Sequence, residues 1–333
     1  MRVWRVIATV TLIVAVLGAW AVKQARAPVS LRPDGAHEVG RITGLWVDRG
    51  RTDQFAPLGG TPRLLSVWAW YPAAQSTAPE SAYAPEGWEG LHRYGPAATA
   101  FDRIRTGTRD EAPFAAGSFP VVVLLPDRGA SAPQYTALAS QLAAQGYLVV
   151  GVTPTYSAGL TVLDGKPVRA SAAGDPDRLD ETRRAQLLSV WAADARFAAS
   201  RALVQLGQHV DPAAVVYLGH GLGGAAAIAA CRDDERCAGS ASLGDGGSLL
   251  LAARDRTWAF TVAGAERLTF TDYALYRLAP PLRWALPVGS IDGRRALEIT
   301  SGYLTGFLGA AILGRTWTPP SYPEVRPAAM LGR

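Results

Sequence analysis

The sequence predicts an α/β fold, a mostly parallel central sheet with helices on both faces. Three observations carry this. Short, continuous apolar runs alternate with amphipathic segments, as strands buried between helical layers do. One run, Val215-Val216-Tyr217-Leu218, feeds a glycine turn, Gly219-His220-Gly221-Leu222-Gly223-Gly224, and then the alanine-rich stretch Ala225-Ala226-Ala227. Finally, 333 residues at 49% hydrophobic are enough for one large core without a split into smaller units.

Met1-Arg2-Val3-Trp4-Arg5 is a short basic segment, and Val6 to Val22 is uncharged and mostly apolar before Lys23 and Arg26. That length is at the lower limit for a bilayer span, about 17–25 residues. Trp4 and Trp20 bracket it as interfacial aromatics do. A cleavable signal peptide is the alternative, with Ala19-Trp20-Ala21 as its cleavage site. The length of the run favours an uncleaved anchor, and either reading exports the remainder. The chain divides into an anchor or signal over 1–27, a polar linker over 28–37, a globular domain over 38–314 and a tail over 315–333.

Within the domain, Val39 to Asp48 and Arg63 to Tyr71 alternate as strands, joined by a loop from Arg49 to Pro62. Residues 73–118 read as one long loop with a short helix near Phe101, a length often found in pocket walls. Val121 to Leu125 is a central strand, Gln134 to Gln145 a helix, and Tyr147 to Val152 the next strand. After a loop at 153–175, a helix runs from about Asp177 to Leu206, with Leu188, Trp191, Ala195, Ala198 and Ala202 on one face. The strand at 215–218 and its helix follow, then strands over Ala238–Leu243 and Trp258–Val262. Asp292 to Leu313 closes the domain as a helix that buries Ile299, Tyr303, Phe307 and Leu308.

The net charge of +5 comes from scattered arginines, without an aromatic-interleaved basic patch, so no nucleic-acid partner is inferred. Cys231 and Cys237 are expected to form a disulfide in an exported chain. Closing so small a loop contributes about 2 kcal/mol. The four histidines, His37, His92, His209 and His220, show no metal-ligand spacing with the cysteines, so no metal is expected.

Strand, glycine turn and helix is the nucleophile elbow of an α/β-hydrolase, with the pattern G-x-S-x-G, but Gly221 stands where serine is needed. The same residues also spell G-x-G-x-x-G with Asp245 downstream, a dinucleotide-binding pattern. That second reading requires a cytoplasmic chain and an early position, and the export signal argues against it.

Several stretches resemble the platelet-activating-factor acetylhydrolase (isoform II-like) family of α/β-hydrolases. They are Val39-Gly40, Asp48-x-x-Arg51-x-Asp53, Trp70-Tyr71-Pro72, Phe119-Pro120-Val121-Val122, Tyr135-x-x-Leu138-Ala139, Gly146-Tyr147-Leu148-Val149-Val150 and the elbow. The resemblance covers about residues 38–314 and implies hydrolysis of short or oxidised acyl esters without a cofactor. It also implies a serine, an aspartate and a histidine in that order.

By that resemblance the nucleophile position is Gly221, and the base position, three residues before Phe270-Thr271-Asp272, is Arg267. A guanidinium stays protonated and cannot act as a general base. No histidine occurs after His220, so a triad histidine C-terminal to the elbow is excluded. The acid belongs in a Leu-Asp-Gly sequence, whereas this chain has Leu243-Gly244-Asp245-Gly246, displacing the aspartate to Asp245.

One oxyanion-hole amide would be that of Leu222. The other would come from the Pro126–Ala130 loop, where the Asp127 carboxylate would oppose developing negative charge. A surface acid paired with Arg128 is the alternative for Asp127. Ser131, Ser157, Ser240 and Ser242 have no histidine placed by motif to activate them. The expectation is an inactive or nearly inactive relative of these esterases, binding an acyl or lipid-like ligand or an unidentified protein partner. The rival expectation is an ester hydrolase with an unconventional site.

Overall fold

Alternate residues of the valine-rich run 121–125 point to opposite faces of a sheet, and each face has its own core. In the computed structural model, residues 2–92, 94–253 and 256–328 are described. Val121, Val123 and Leu125 pack with Trp191, Ala195 and Ala198, whereas Val122 and Leu124 pack with Leu138, Leu142, Ile299 and Phe307. That period-2 split is what a strand buried on both sides requires.

The strands of the main sheet are β1 (Glu38–Thr52), β2 (Pro62–Ala73), β3 (Thr108–Asp110), β4 (Phe119–Leu125), β5 (Leu148–Pro154), β6 (Val210–His220), β7 (Cys237–Gly244), β8 (Ser248–Ala253), β9 (Arg256–Val262) and β10 (Val325–Pro327). Their order across the sheet is β10-β9-β8-β7-β6-β4-β5-β2-β1-β3. The centre, β5-β4-β6-β7, is parallel, and β2 and β8 flank it antiparallel. The helices are α1 (Arg2–Arg26), α2 (Thr136–Ala144), α3 (Glu181–Leu206), α4 (Leu222–Arg232), α5 (Pro280–Ala285) and α6 (Gly293–Leu313). Helices α3 and α4 cover one face, and α2 and α6 the other. This is the α/β-hydrolase fold, a large mixed sheet between helical layers.

Several elements depart from the sequence expectation. Helix α3 begins at Glu181 and not near Asp177, because the Asp180 carboxylate accepts the Arg183 N–H and caps it. Its buried face uses Leu187, with Leu188 only partly covered. Strand β1 runs on to Thr52, so the expected 49–62 loop is shorter. Strand β3 was hidden in the long 73–118 segment and is pinned by a bidentate pair from Arg41 to Asp110 (2.7 and 2.9 Å). The 153–175 loop holds a small hairpin, Thr161–Leu163 with Lys166–Val168. Strand β8 falls between the two strands expected over Ala238–Leu243 and Trp258–Val262, where none was expected.

Segments outside 38–314 also join the body. Val29–Ser30 pairs with Ile104–Arg105, with Val29 and Leu31 buried. In the C-terminal segment, β10 extends the sheet and Trp317 packs on Trp258. Cys231, in the last turn of α4, is disulfide-bonded to Cys237 at the start of β7. Helix α1 is exposed and apolar, with a mean hydropathy of 2.1 over Val3–Gln24. Helix α6 is also long and apolar, but half of it is buried against the core.

One buried charge cluster ties the β1–β2 hairpin to α3. The Arg63 guanidinium, 1% exposed, donates to Asp53 (2.8 Å) and to Asp194 (2.6 Å), both fully covered. Arg51 reaches the other Asp194 oxygen at 2.9 Å and also pairs with Asp48. Removing one member strands the others without counter-charge. Arg63→Ala should therefore cost about 3–5 kcal/mol in urea unfolding. A loss below about 1 kcal/mol, the range of an exposed pair, would show that the cluster is not structurally coupled.

Candidate functional site

The site forms where β6 turns into α4. His220 ends the strand, Gly221 adopts φ 52° and ψ −117°, and Leu222 is the first helical residue. Side chains rarely tolerate that backbone region, which costs a non-glycine residue about 1–3 kcal/mol. Space is a second constraint: a Cβ built on Gly221 would collide with the carboxylate of Asp127.

Asp127 follows β4. Its Oδ1 accepts the Leu222 N–H at 3.0 Å, and its Oδ2 faces Arg267 Nη1 at 3.5 Å. The side chain is only 7% exposed. A carboxylate at the positive end of a helix is electrostatically favoured, and Arg267 supplies a second partner. Arg128 instead points outward to Asp177 at 3.7 Å, which overturns the reading of Asp127 as a surface acid paired with Arg128. Gly221 and Arg267 thus lie on either side of Asp127, and the Leu222 amide is already engaged.

His220 lies behind the turn, fully buried. Its Nδ1 is 2.8 Å from the Tyr135 hydroxyl, which itself accepts the Asp127 N–H at 3.0 Å. The hydroxyl hydrogen is therefore free to donate to Nδ1. Burial pushes the His220 pKa down to about 4, a drop that the Asp127 carboxylate only partly offsets. A neutral imidazole whose Nδ1 is held by Tyr135 serves as scaffold, while its Nε2 is buried without a hydrogen-bond partner among the described residues. Tyr135 belonged to the quoted pattern, but nothing in the sequence signalled this role.

Asp245 sits on an exposed 3-10 turn after β7, close enough to His220 to act on its charge. Asp272, by contrast, is buried and caps α2. It accepts from Thr136 N–H (3.0 Å), Ala137 N–H (3.0 Å) and Tyr83 O–H (2.8 Å). Burial pushes its carboxyl up to about 7 against the pull of these donors. Ser131 donates to the Leu160 carbonyl, and no hydrogen bond joins Ser131, Ser157, Ser240 or Ser242 to a histidine among the described residues.

Two neighbouring cavities open beside the elbow, the first touching it at His220. One, of about 240 Å³, is lined by Asp127, His220, Arg267, Leu286 and Pro287. The other, of about 310 Å³, is lined by Leu91, His92, Leu160 and Arg169. They share Tyr94, Gly129, Gln134 and Tyr273, so together they form one groove with an ion pair at its inner end and aromatic walls further out. Tyr94 comes from the 73–118 segment that the sequence marks as a pocket wall, whereas Tyr273 lies outside it and carried no signal.

The His220 environment yields a prediction with a definite sign. The folded-state pKa lies below the unfolded value near 6.5, so this group's contribution to stability is complete above about 6.5. It is lost as pH falls toward about 4. Asp272, raised in the fold, acts with the opposite sign, so the readout is the His220 ring signal in NMR and not net stability. That signal should remain neutral at pH 5.5; protonation there would refute the scaffold role.

No known protein-family profile matches the chain, and no curated protein matches it. Among solved structures it is similar to a ferulic acid esterase from Streptomyces cinnamoneus, at 25% identity and a TM-score of 0.76, over 91% of this chain and 100% of that one. A hypothetical protein from Pseudomonas aeruginosa is similar only loosely, at 14% identity and a TM-score of 0.36, over 66% of this chain and 46% of that one. The second likeness carries no argument. The first, together with the sheet order and the elbow, makes the chain an esterase-like relative within the α/β-hydrolase fold.

Proposed function

We propose that this protein keeps the elbow and groove of an acetylhydrolase-like esterase but has lost ester hydrolysis, and that it binds an acyl or lipid-like ligand at an outer membrane face. The observation that carries the reading is Asp127. Its carboxylate lies in the space a nucleophile side chain at position 221 would enter, and it occupies the Leu222 N–H. Loss of one oxyanion donor alone costs an acyl-transfer enzyme about 10²–10³ in rate. Here the missing nucleophile and the arginine at the base position come in addition.

The resemblance to the platelet-activating-factor acetylhydrolase family supports a short acyl ester as the shape the groove descends from. The ferulic acid esterase likeness supports an ester more broadly, and the aromatic walls at Tyr94 and Tyr273 accommodate either. The exposed apolar α1 and the Cys231–Cys237 disulfide support a place outside the cytoplasm, tethered by α1.

The test is turnover of short-chain p-nitrophenyl esters by the full chain in detergent. The native protein should match buffer. Gly221→Ser alone should remain inactive, because its Cβ meets Asp127 and its hydroxyl has no base. Gly221→Ser combined with Asp127→Ala and Arg267→His should become reactive toward a fluorophosphonate probe that leaves the parent unlabelled. Robust turnover by the native protein, abolished by a single substitution elsewhere in the groove, would establish the rival reading of an active hydrolase with an unconventional site.

A further inference from the structure

The root of the anchor and the mouth of the groove belong to one surface. Helix α1 ends at Arg26, and only Ala27 and Pro28 separate it from Val29–Ser30, which is paired with Ile104–Arg105. Two residues span about 7 Å at most, so the body cannot move far from the point where α1 leaves the bilayer. Leu31 N–H donates to the Arg105 carbonyl at 2.7 Å and closes the attachment.

The end of α1 lies against the turn Gly95–Ala97, directly after the groove residue Tyr94. The Ala97 carbonyl accepts the Ala279 N–H at 2.8 Å, and Ala279 caps α5. Helix α5 carries Trp284, which is 81% exposed, and leads straight into the groove residues Leu286 and Pro287. Val29, Leu31, Tyr94, Tyr273, Leu282 and Leu286 share one apolar cluster, so anchor root, groove wall and α5 form one packed unit. Basic groups ring it: Lys23 and Arg26 at the end of α1, the exposed Arg277, and Arg283 on α5.

We propose that this face rests on the bilayer that holds α1, with Trp284 in the headgroup layer and the groove opening onto the membrane surface. The occupant of the face is therefore the membrane itself, and ligand enters from its lipids. A tryptophan exposed beside a span suits the interface, where its ring meets acyl chains and its N–H meets water. The nearby arginines complement anionic headgroups. The inference rests on the reading of α1 as a retained anchor and makes the ligand class of the proposed function more specific: a lipid drawn from that bilayer.

The test places a spin label at position 284 or 204 of the full chain, one copy per phosphatidylglycerol-containing nanodisc. Intact mass first verifies that residues 1–27 are present. The native cysteines are joined in a disulfide, so labels attach only to Trp284→Cys or Val204→Cys. Val204 lies on α3 across the sheet and is 76% exposed. Label at 284 should favour oxygen over a water-soluble nickel chelate, and label at 204 should show the reverse. Ala285→Cys, which keeps the tryptophan, should behave like 284. Water-like behaviour at both 284 and 285, shielding at 204, or loss of residues 1–27 in the membrane fraction would each overturn the proposal. Ester turnover plays no part in this readout, so failure here is distinct from failure of the inactive-esterase reading.

Discussion

The N-terminus of α4 is pressed against the ends of the central strands with no side chain between them, and the site depends on that approach. A Cβ on Gly223 would meet the carbonyls of Leu125 and Pro126, so the helix can lie this close only where side chains are absent. The consequence is an amide, that of Leu222, fixed at the positive end of a helix and aimed at Asp127, which lines the groove. A buried N–H in that position needs an acceptor. In an ester hydrolase the acceptor is transient, the oxyanion of the reacting ester. Here it is permanent, the Asp127 carboxylate.

The rest of the body holds this arrangement steady from both sides of the sheet. On one face the Arg63–Asp53–Asp194 cluster locks the β1–β2 hairpin to α3, which in turn covers α4. On the other, Asp272 caps α2, whose preceding turn carries Tyr135, and Tyr135 joins His220 to the Asp127 backbone. Asp48, Arg51 and Asp53, conspicuous in the sequence as part of a family-like pattern, thus act far from the chemistry, as a staple.

Elements whose cause is local were legible in the sequence. The valine runs, the glycine turn and the helix that starts at Asp292 announce themselves through burial, backbone freedom and a side-chain acceptor, whereas the start at Asp180 was placed too early, near Asp177. Strands β3 and β8 were not, for a different reason. Thr108–Asp110 has no apolar signature because its place at the sheet edge rests on the Arg41–Asp110 pair, 69 residues apart. Ser248–Ala253 went unassigned because it follows a glycine pair at 246–247 closely and pairs by a tight antiparallel return. Positions 221 and 267 were singled out in the sequence, the first by the glycine turn and the second by the family resemblance. What fills the space between them could not be read there, since a carboxylate after a strand is equally consistent with solvent and with the helix terminus 95 residues away.

The residues at positions 127, 221 and 267 depend on one another. An arginine at 267 alone would set a positive charge before the positive end of α4. An aspartate at 127 alone would bury a carboxylate with only an amide for company. A side chain at 221 would exclude the aspartate altogether. Glycine at 221 leaves the room, Asp127 takes the amide, and Arg267 balances Asp127, so each residue removes the defect that the others would create. This mutual dependence also fixes the shape of the groove: the ion pair occupies the inner end, while the aromatic walls beyond it remain open. Without Asp127 the Leu222 amide would be unpaired, whereas here it is satisfied.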